Sequence, residues 1–467
     1  MKNLKIDELF KYTKQQFDKF KDHRADNKQY SIGDCMQSGL AVFSLKDSSL
    51  LSYNNQITER IDNLKRIYKI DNCPGDGQMR EVIDEVAPIQ IERVKREVIK
   101  LAQQKELLKE FEYFKGYLLL AVDGVHHFSS KSVSCTNCLE RNHSDGTITY
   151  SHSMLASVIT HPTKKIVIPL CEEPIVQQDG QTKNDCEINA AIRLFDKTRT
   201  RHMDLKFIRL EDALFANGPH IQKIQSKGDK FIICVKEGSG AGSVINQYEH
   251  LLKITDAERA ANKKAIAKAH KLYKWHGIEK PIGDQPIVHK MEIKEKKVLK
   301  VYHYVNSLYL NEAHKEMKVN FVHYEERAIS TDKILKRFDW ITDITVTEAN
   351  VEKIEKAGRA RWKIENETFN TLKNQGYNFK HNFGHGEKNL CTNFALLMML
   401  AFLIDQIQQL SNEVFQKVLE KKKWKKYIWE DVRSFVRTLP FESMDMVYKA
   451  ILYGIKVEYL AIQENSE

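Results

Sequence analysis

The run Tyr117-Leu118-Leu119-Leu120-Ala121-Val122 has no polar interruption and stops at Asp123-Gly124. Alternating polarity would mark a strand with one wet face, whereas an unbroken apolar run of this length marks a strand covered on both faces. Such a strand requires layers on each side of its sheet, which makes this part of the chain an α/β structure. The following pattern agrees. Thr147–Tyr150 and Ser153–Ile159 read as a second strand region and Lys165–Leu170 as a third. Asn184–Asp196 reads as a helix with Ile188, Ala191, Ile192 and Phe195 on one face. Strands at Phe207–Leu210 and Phe231–Val235 flank a short helix within His220–Gly228.

The 467 residues leave room for two or three domains of about 150 residues. Residues 1–115 read as helical and charged, with breaks at Pro74-Gly75-Asp76-Gly77 and Pro88 and an amphipathic helix over Ile89–Phe114. Residues 116–240 hold the first α/β part, and Gly238-Ser239-Gly240-Ala241-Gly242 is a joint. Residues 241–355 read as an insertion. It combines a basic helix over Ala257–Tyr273 (Lys263, Lys264, Lys268, Lys271) with β runs at Val298–Val305, Lys318–Tyr324 and Trp340–Thr347. Residues 356–410 return to the α/β unit through a helix, and 411–467 form a basic helical end.

The net charge of +10 favours a polyanionic partner, nucleic acid before a membrane surface. The N-terminus Met1-Lys2-Asn3-Leu4-Lys5-Ile6-Asp7 lacks the apolar core of a signal peptide. The greasy stretch Leu390–Ile404 is short for a bilayer and contains Thr392 and Asn393, so a buried helix and no membrane partner are expected. Eight cysteines in so long a chain do not make a disulfide scaffold, and a cytoplasmic location is the expectation.

Asp123 is the first of three carboxylates in distinctive frames. Asp212 follows Phe207-Ile208-Arg209-Leu210-Glu211, and Glu365 sits in the helical stretch Arg359-Ala360-Arg361-Trp362-Lys363-Ile364-Glu365-Asn366. Two aspartates at strand ends and a glutamate on a helix suit a site for two Mg²⁺ or Mn²⁺ ions: such ions take hard oxygen ligands and catalyse phosphodiester chemistry. Other readings remain open. Asp123-Gly124 also suits a turn, Asp212 also suits a helix N-cap, and Glu211 competes with it. Glu365 and Arg361 also suit a solvated i, i+4 pair. Glu367, about 200° around a helix from Glu365, does not share its face.

Together these segments resemble the DDE transposases of bacterial insertion sequences, the large group with an RNase H-like catalytic domain. Arg361 and Glu365 match the spacing of the signature Tyr-x2-Arg-x3-Glu-x6-Lys. Gly358 stands where the Tyr is expected, and Leu372 holds the Lys position, with Lys373 one residue late. Asp212-Ala213-Leu214-Phe215 resembles the second-aspartate motif. The resemblance covers about residues 116–405. It implies an RNase H-like domain interrupted by a β-rich insertion, with helical N- and C-terminal regions. It implies that Asp123, Asp212 and Glu365 bind two metal ions, cut DNA at transposon ends and join the freed 3′-OH to target DNA. Double-stranded DNA is the implied partner, a homodimer the implied form in the synapse, and the cytoplasmic nucleoid the implied location. Residues 1–115 then become the candidate for recognising the ends. The rivals are an inactive, transposase-derived DNA-binding regulator and another RNase H-like nuclease.

The DNA-contact candidates are Arg361, Lys373, Trp340, Lys422 and Lys425. Lys422 and Lys425 belong to Lys421-Lys422-Lys423-Trp424-Lys425-Lys426, which suits either phosphate contact or a solvated helix face. Trp275 and Trp340 lie in the insertion, where an aromatic can stack on a flipped base, although Trp340 also heads a strand pattern that suits core packing. His126 and His127 follow Asp123 and read either as neighbours of the metals or as ordinary loop residues. Cys135-Thr136-Asn137-Cys138 is a CxxC with His143, His152, Cys171 and Cys186 downstream. A structural zinc with Cys135, Cys138, Cys186 and a histidine is one reading, and unligated thiols are the other.

Overall fold

A computed structural model describes residues 4–176, 187–238, 241–259 and 286–455. Cys186, Trp275 and the four lysines of the basic helix lie outside the described residues.

The apolar run forms the proximal half of β2 (Tyr117–Ser130), and Leu118 to Val122 are no more than 3% exposed. β2 pairs antiparallel with β4 (Ile148–Thr160), and β4 pairs antiparallel with β5 (Ile168–Ile175). On its other side β2 runs parallel to β6 (Lys206–Glu211), which is parallel to β7 (Lys230–Cys234). The helices Glu187–Arg201 and Gly218–Ser226 supply the crossovers to β6 and β7. Three antiparallel strands followed by two parallel ones, in the order β5-β4-β2-β6-β7, make an RNase H-like sheet. Two short strands lie off this core: β1 (Glu112–Phe114) pairs with the start of β2, and β3 (Leu139–Asn142) with the start of β4.

The insertion extends the same sheet. β11 (Ile334–Thr342) pairs antiparallel with β7 and is followed outward by β10 (His314–Ala328), β9 (Val298–Asn311) and β8 (His289–Glu295). The helix Gly242–Arg259 packs on β9. β8 is absent from the sequence reading because an edge strand needs no apolar run: His-Lys-Met-Glu-Ile-Lys-Glu is mostly exposed and charged, as suits an edge that must not recruit another strand. β5 begins at Ile168 rather than Lys165, and its Pro169 and Pro174 are tolerated because β4 is its one strand partner. The expected long helix ends at Gln104, where Glu106 turns left-handed (φ 58°).

The apolar stretch becomes the 22-residue helix Leu390–Ser411, longer than read and long enough to cross a bilayer. Its surroundings decide otherwise, since it is enclosed by helices Ile32–Leu45, Asp76–Glu85 and Pro88–Gln104. Its polar residues bind the N-terminal layer. Asn393 donates to the carbonyls of Ile83 (2.7 Å) and Val86 (2.8 Å), Asp405 pairs with Lys46 (2.7 Å), and Gln408 donates to the Leu4 carbonyl (3.1 Å). The C-terminal helices close the same layer: Asn63 reaches the carbonyls of Val436 and Leu439, each at 2.7 Å. The two terminal regions thus share one core with the sheet.

Candidate active site

β2 and β6 are paired from Tyr117–Lys206 to Ala121–Leu210 and then part. Asp212 stands 89 residues after Asp123, the same offset as Lys206 after Tyr117 in this register. Both aspartates are two residues past the last parallel pair, so they project from the same face on either side of the opening. Asp123 is therefore not at a strand end, as expected, but in the middle of β2, which continues beside β4 to Ser130. It is β6 that ends. Asp212 caps the short turn Ala213–Phe215, with Oδ1 accepting from the Leu214 N–H at 3.0 Å. The cap and the site are compatible, because that bond fixes the carboxylate where the strands diverge.

Glu211 faces the other way. It is 2% exposed and accepts a 2.6 Å bond from His220. Burial opposes its ionisation, but His220 and Arg209 hold its carboxyl below the usual value. Period-2 alternation thus commits Glu211 to the core and Asp212 to the fork.

The segment carrying Arg361 and Glu365 packs against β2 and β6. It is not one regular helix. An α-helix Val351–Arg359 passes into a 3₁₀ turn Ala360–Trp362, then a π-helical turn Ile364–Phe369, then α-helix Asn370–Asn374. Arg361 Nη1 meets Asp123 Oδ2 at 3.3 Å, with side chains 15% and 30% exposed. Asp123 Oδ1 accepts from the Gly124 N–H at 3.0 Å. Burial raises the Asp123 pKa, Arg361 opposes the rise, and the charges of Asp212 and Glu365 reinforce it. The charges of Asp212 and Glu365 therefore both reach Asp123.

Sequence reasoning missed a fourth. Glu187 opens the crossover helix, and its Oε1 lies 2.9 Å from where a β-carbon on Gly124 would stand. Its pKa is raised by burial and then by Asp212 and Asp123. Its available signal was an acid in the first turn of the helix that returns to the sheet. Gly124 is required for this approach.

The remaining predicted residues scatter. Trp340 is 1% exposed within β11, so it offers no face to a base. Its indole fills the space beside Gly358, where an added β-carbon would lie 2.6 Å from it. Trp362, next to Arg361, is the exposed indole of this helix (49%). Lys422 is ion-paired with Asp431, and Lys425 is half-buried near Asp405 and Glu367, so neither is a free surface cation. The lysine cluster straddles a break at Lys423 (φ 62°) rather than lying on one helix face. Lys373 lines a cleft with Lys426, Arg433 and Arg437. His126 and His127 are strand residues: His126 bonds Ser153 (2.6 Å), and His127 is buried at an irregularity in the β2–β4 register. Cys135 and Cys138 meet His152 and His385 near the far end of β2, and Cys171 is buried in β5.

Residues 140–403 match the family model described as "Transposase DDE domain", more than half of the chain. The chain belongs to this DDE transposase family. No curated protein matches it. The matched segment contains Asp212, Arg361 and Glu365 and begins after Asp123. What places Asp123 beside Asp212 is the strand register. Membership makes the chain a transposase acting on DNA, and the sheet order agrees with the RNase H-like fold expected of it.

Proposed function

We propose that this transposase cuts DNA at transposon ends and transfers the freed 3′-OH into target DNA, using Asp123, Asp212 and Glu365 as ligands for two Mg²⁺ or Mn²⁺ ions. The observation that carries the reading is the parting of β2 from β6 with an aspartate on each side and the Arg361–Glu365 segment packed across it. The donor set fits such ions, since carboxylate oxygens are hard ligands. Burial and the charges of Asp212 and Glu365 oppose the ionisation of Asp123, a condition that a bound cation relieves. The ions would supply a more basic attacking oxygen and a stabilised leaving oxygen.

The chain's own residues do the rest. Asp212 is oriented by the Leu214 N–H. Arg361 neutralises Asp123 and, with its planar fork of donors, would be free to hold a phosphate if cations held that carboxylate. Glu187 closes the fork from the crossover helix as an outer ligand. The π turn bears on Lys373. One i→i+5 turn accommodates one residue more than an α turn. Lys373, eight residues after Glu365, thereby gains about the facing that a residue seven on has in a regular helix. In this reading Lys373 is the phosphate-contacting lysine, with Arg433 and Arg437 along the same cleft. Two copies would pair on DNA to hold two ends.

The test uses oligonucleotides carrying the inverted repeats that flank the coding region. Wild type with Mg²⁺ should nick them and join the 3′ ends to a second duplex. Asp123→Asn should bind the same DNA and do neither. Nicking by that variant at the wild-type rate would falsify the assignment. Nicking without joining by the wild type would reassign the chain as a nuclease.

A further inference from the structure

The acidic fork leaves one constellation unexplained. β2 continues past Asp123 to Phe128, opposite His152 on β4. The loop from β2 to β3 brings Cys135 and Cys138 back over this end of the hairpin, and His385 arrives from the loop before helix Leu390–Ser411. Cys138 is 1% exposed, His152 2% and His385 7%, while Cys135 is half-buried.

Four of the six edges of a tetrahedron are short, and all four ligand atoms lie within 4.8 Å of one another. The sulfurs are 3.9 Å apart, His152 Nε2 is 3.4 Å from each, and His385 Nε2 is 3.5 Å from Cys138 Sγ. Zinc bonds of about 2.3 Å to sulfur and about 2.05 Å to nitrogen at tetrahedral angles give edges of about 3.8 Å for S···S and about 3.6 Å for S···N. A metal-free account is poorer. Without an ion, the four contacts would rest on sulfur, which is a weak donor and a weak acceptor. The Cys135 N–H also points at Cys138 Sγ (3.4 Å), which fixes the second sulfur relative to the first.

We propose that Cys135, Cys138, His152 and His385 bind one structural zinc ion. Four protein ligands close the coordination sphere, so the site is structural rather than catalytic. Two sulfurs and two nitrogens in this geometry select zinc over Mg²⁺. The ion ties the β2–β4 hairpin to the segment that follows the Glu365 helix, joining parts of the chain more than two hundred residues apart. The surroundings are built for that junction. Phe128 stacks on His385 (4.4 Å), Asn137 donates to the Lys388 carbonyl (2.7 Å), and Asp84 accepts from the N–H groups of residues 387–390. The site is distinct from the fork: Phe128 lies five positions along β2 from Asp123, roughly 17 Å of strand.

The test is metal analysis of the full-length wild-type chain, purified without chelator and with zinc in the medium. One zinc per chain is expected, with an X-ray absorption shell of two sulfurs and two nitrogens. Asp123→Asn should retain that zinc, whereas Cys138→Ser and His385→Ala should each lower its occupancy at least tenfold. The absorption shell needs no variant, so it decides the matter even if the substituted chains misfold. Absence of zinc, a shell of oxygens and nitrogens alone, iron in its place, a Cys135–Cys138 disulfide, or zinc lost on Asp123→Asn would each overturn the proposal.

Discussion

β2 runs past two clusters of opposite character. At its middle, Asp123, Asp212, Glu365 and Glu187 crowd like charges against the single ion-paired guanidinium of Arg361. Near its end, two thiols and two imidazoles close on one another in a buried pocket. The first is under-compensated and partly open, which suits hard cations that exchange with substrate. The second is enclosed and soft, which suits an ion that stays. β2 itself gives Asp123 to the first cluster, whereas the second is gathered around its far end from the β2–β3 loop, β4 and the loop before Leu390–Ser411, which keeps the two apart.

The sharpest way to break the comparison is to neutralise one acid in the fork. Asp123→Asn should lower strand cleavage by about a thousandfold or more, measured in single turnover. The same variant should melt higher than wild type without metal. The sign follows from the raised pKa: ionisation of Asp123 costs stability as pH rises through its folded value, and Asn removes that cost. Added Mn²⁺ should raise the wild-type Tm more than the variant's. A variant that melts lower, or gains as much from Mn²⁺, would show the fork is not poised for cations.

Next in size is the soft cluster. Stripping its metal, or Cys138→Ser, should cost roughly 3–5 kcal/mol by denaturant unfolding, with DNA cleavage per folded molecule largely kept. Loss of activity without loss of stability would merge the two sites into one. Glu211→Gln tests the neighbour that turned inward. Weakening a hydrogen bond to a buried carboxylate costs roughly 1.5–3 kcal/mol, so that variant should lose stability while its folded fraction still cleaves. Because the folded pKa of Glu211 is depressed, its contribution is present above the unfolded value of about 4.3 and lost as pH falls through the folded one. Acid unfolding of Glu211→Gln should therefore be shallower than that of wild type.

Smaller effects probe the departures from the family signature. Gly358→Tyr should destabilise by about 1–3 kcal/mol through overpacking, and a double-mutant cycle with Trp340→Ala should recover part of it. Full additivity would mean that the indole is not what excludes a side chain there. Lys373→Ala should weaken DNA binding uniformly and reduce the slope of log K against log salt by about one. An unchanged slope would remove Lys373 from the interface.

The sequence by itself determined the apolar strand runs that lead to Asp123 and Asp212, the buried character of Leu390–Ile404 and the helical frame of Arg361 and Glu365. These are local patterns of polarity, and local patterns survive without knowledge of the fold. Only the tertiary structure decided what depends on distant partners. It separated Glu211 from Asp212 by giving one His220. It brought Glu187 to the fork and His385 to the cysteines, neither of which any nearby residue announces. It placed Trp340 in the core against Gly358, and so made one departure from the signature the counterpart of the other residue's burial. It also inserted a π turn between Glu365 and Lys373, where sequence spacing assumes an even helix. Convergence of side chains from separate elements is set by sheet register and packing, and neither is written in the run of residues that each element contributes.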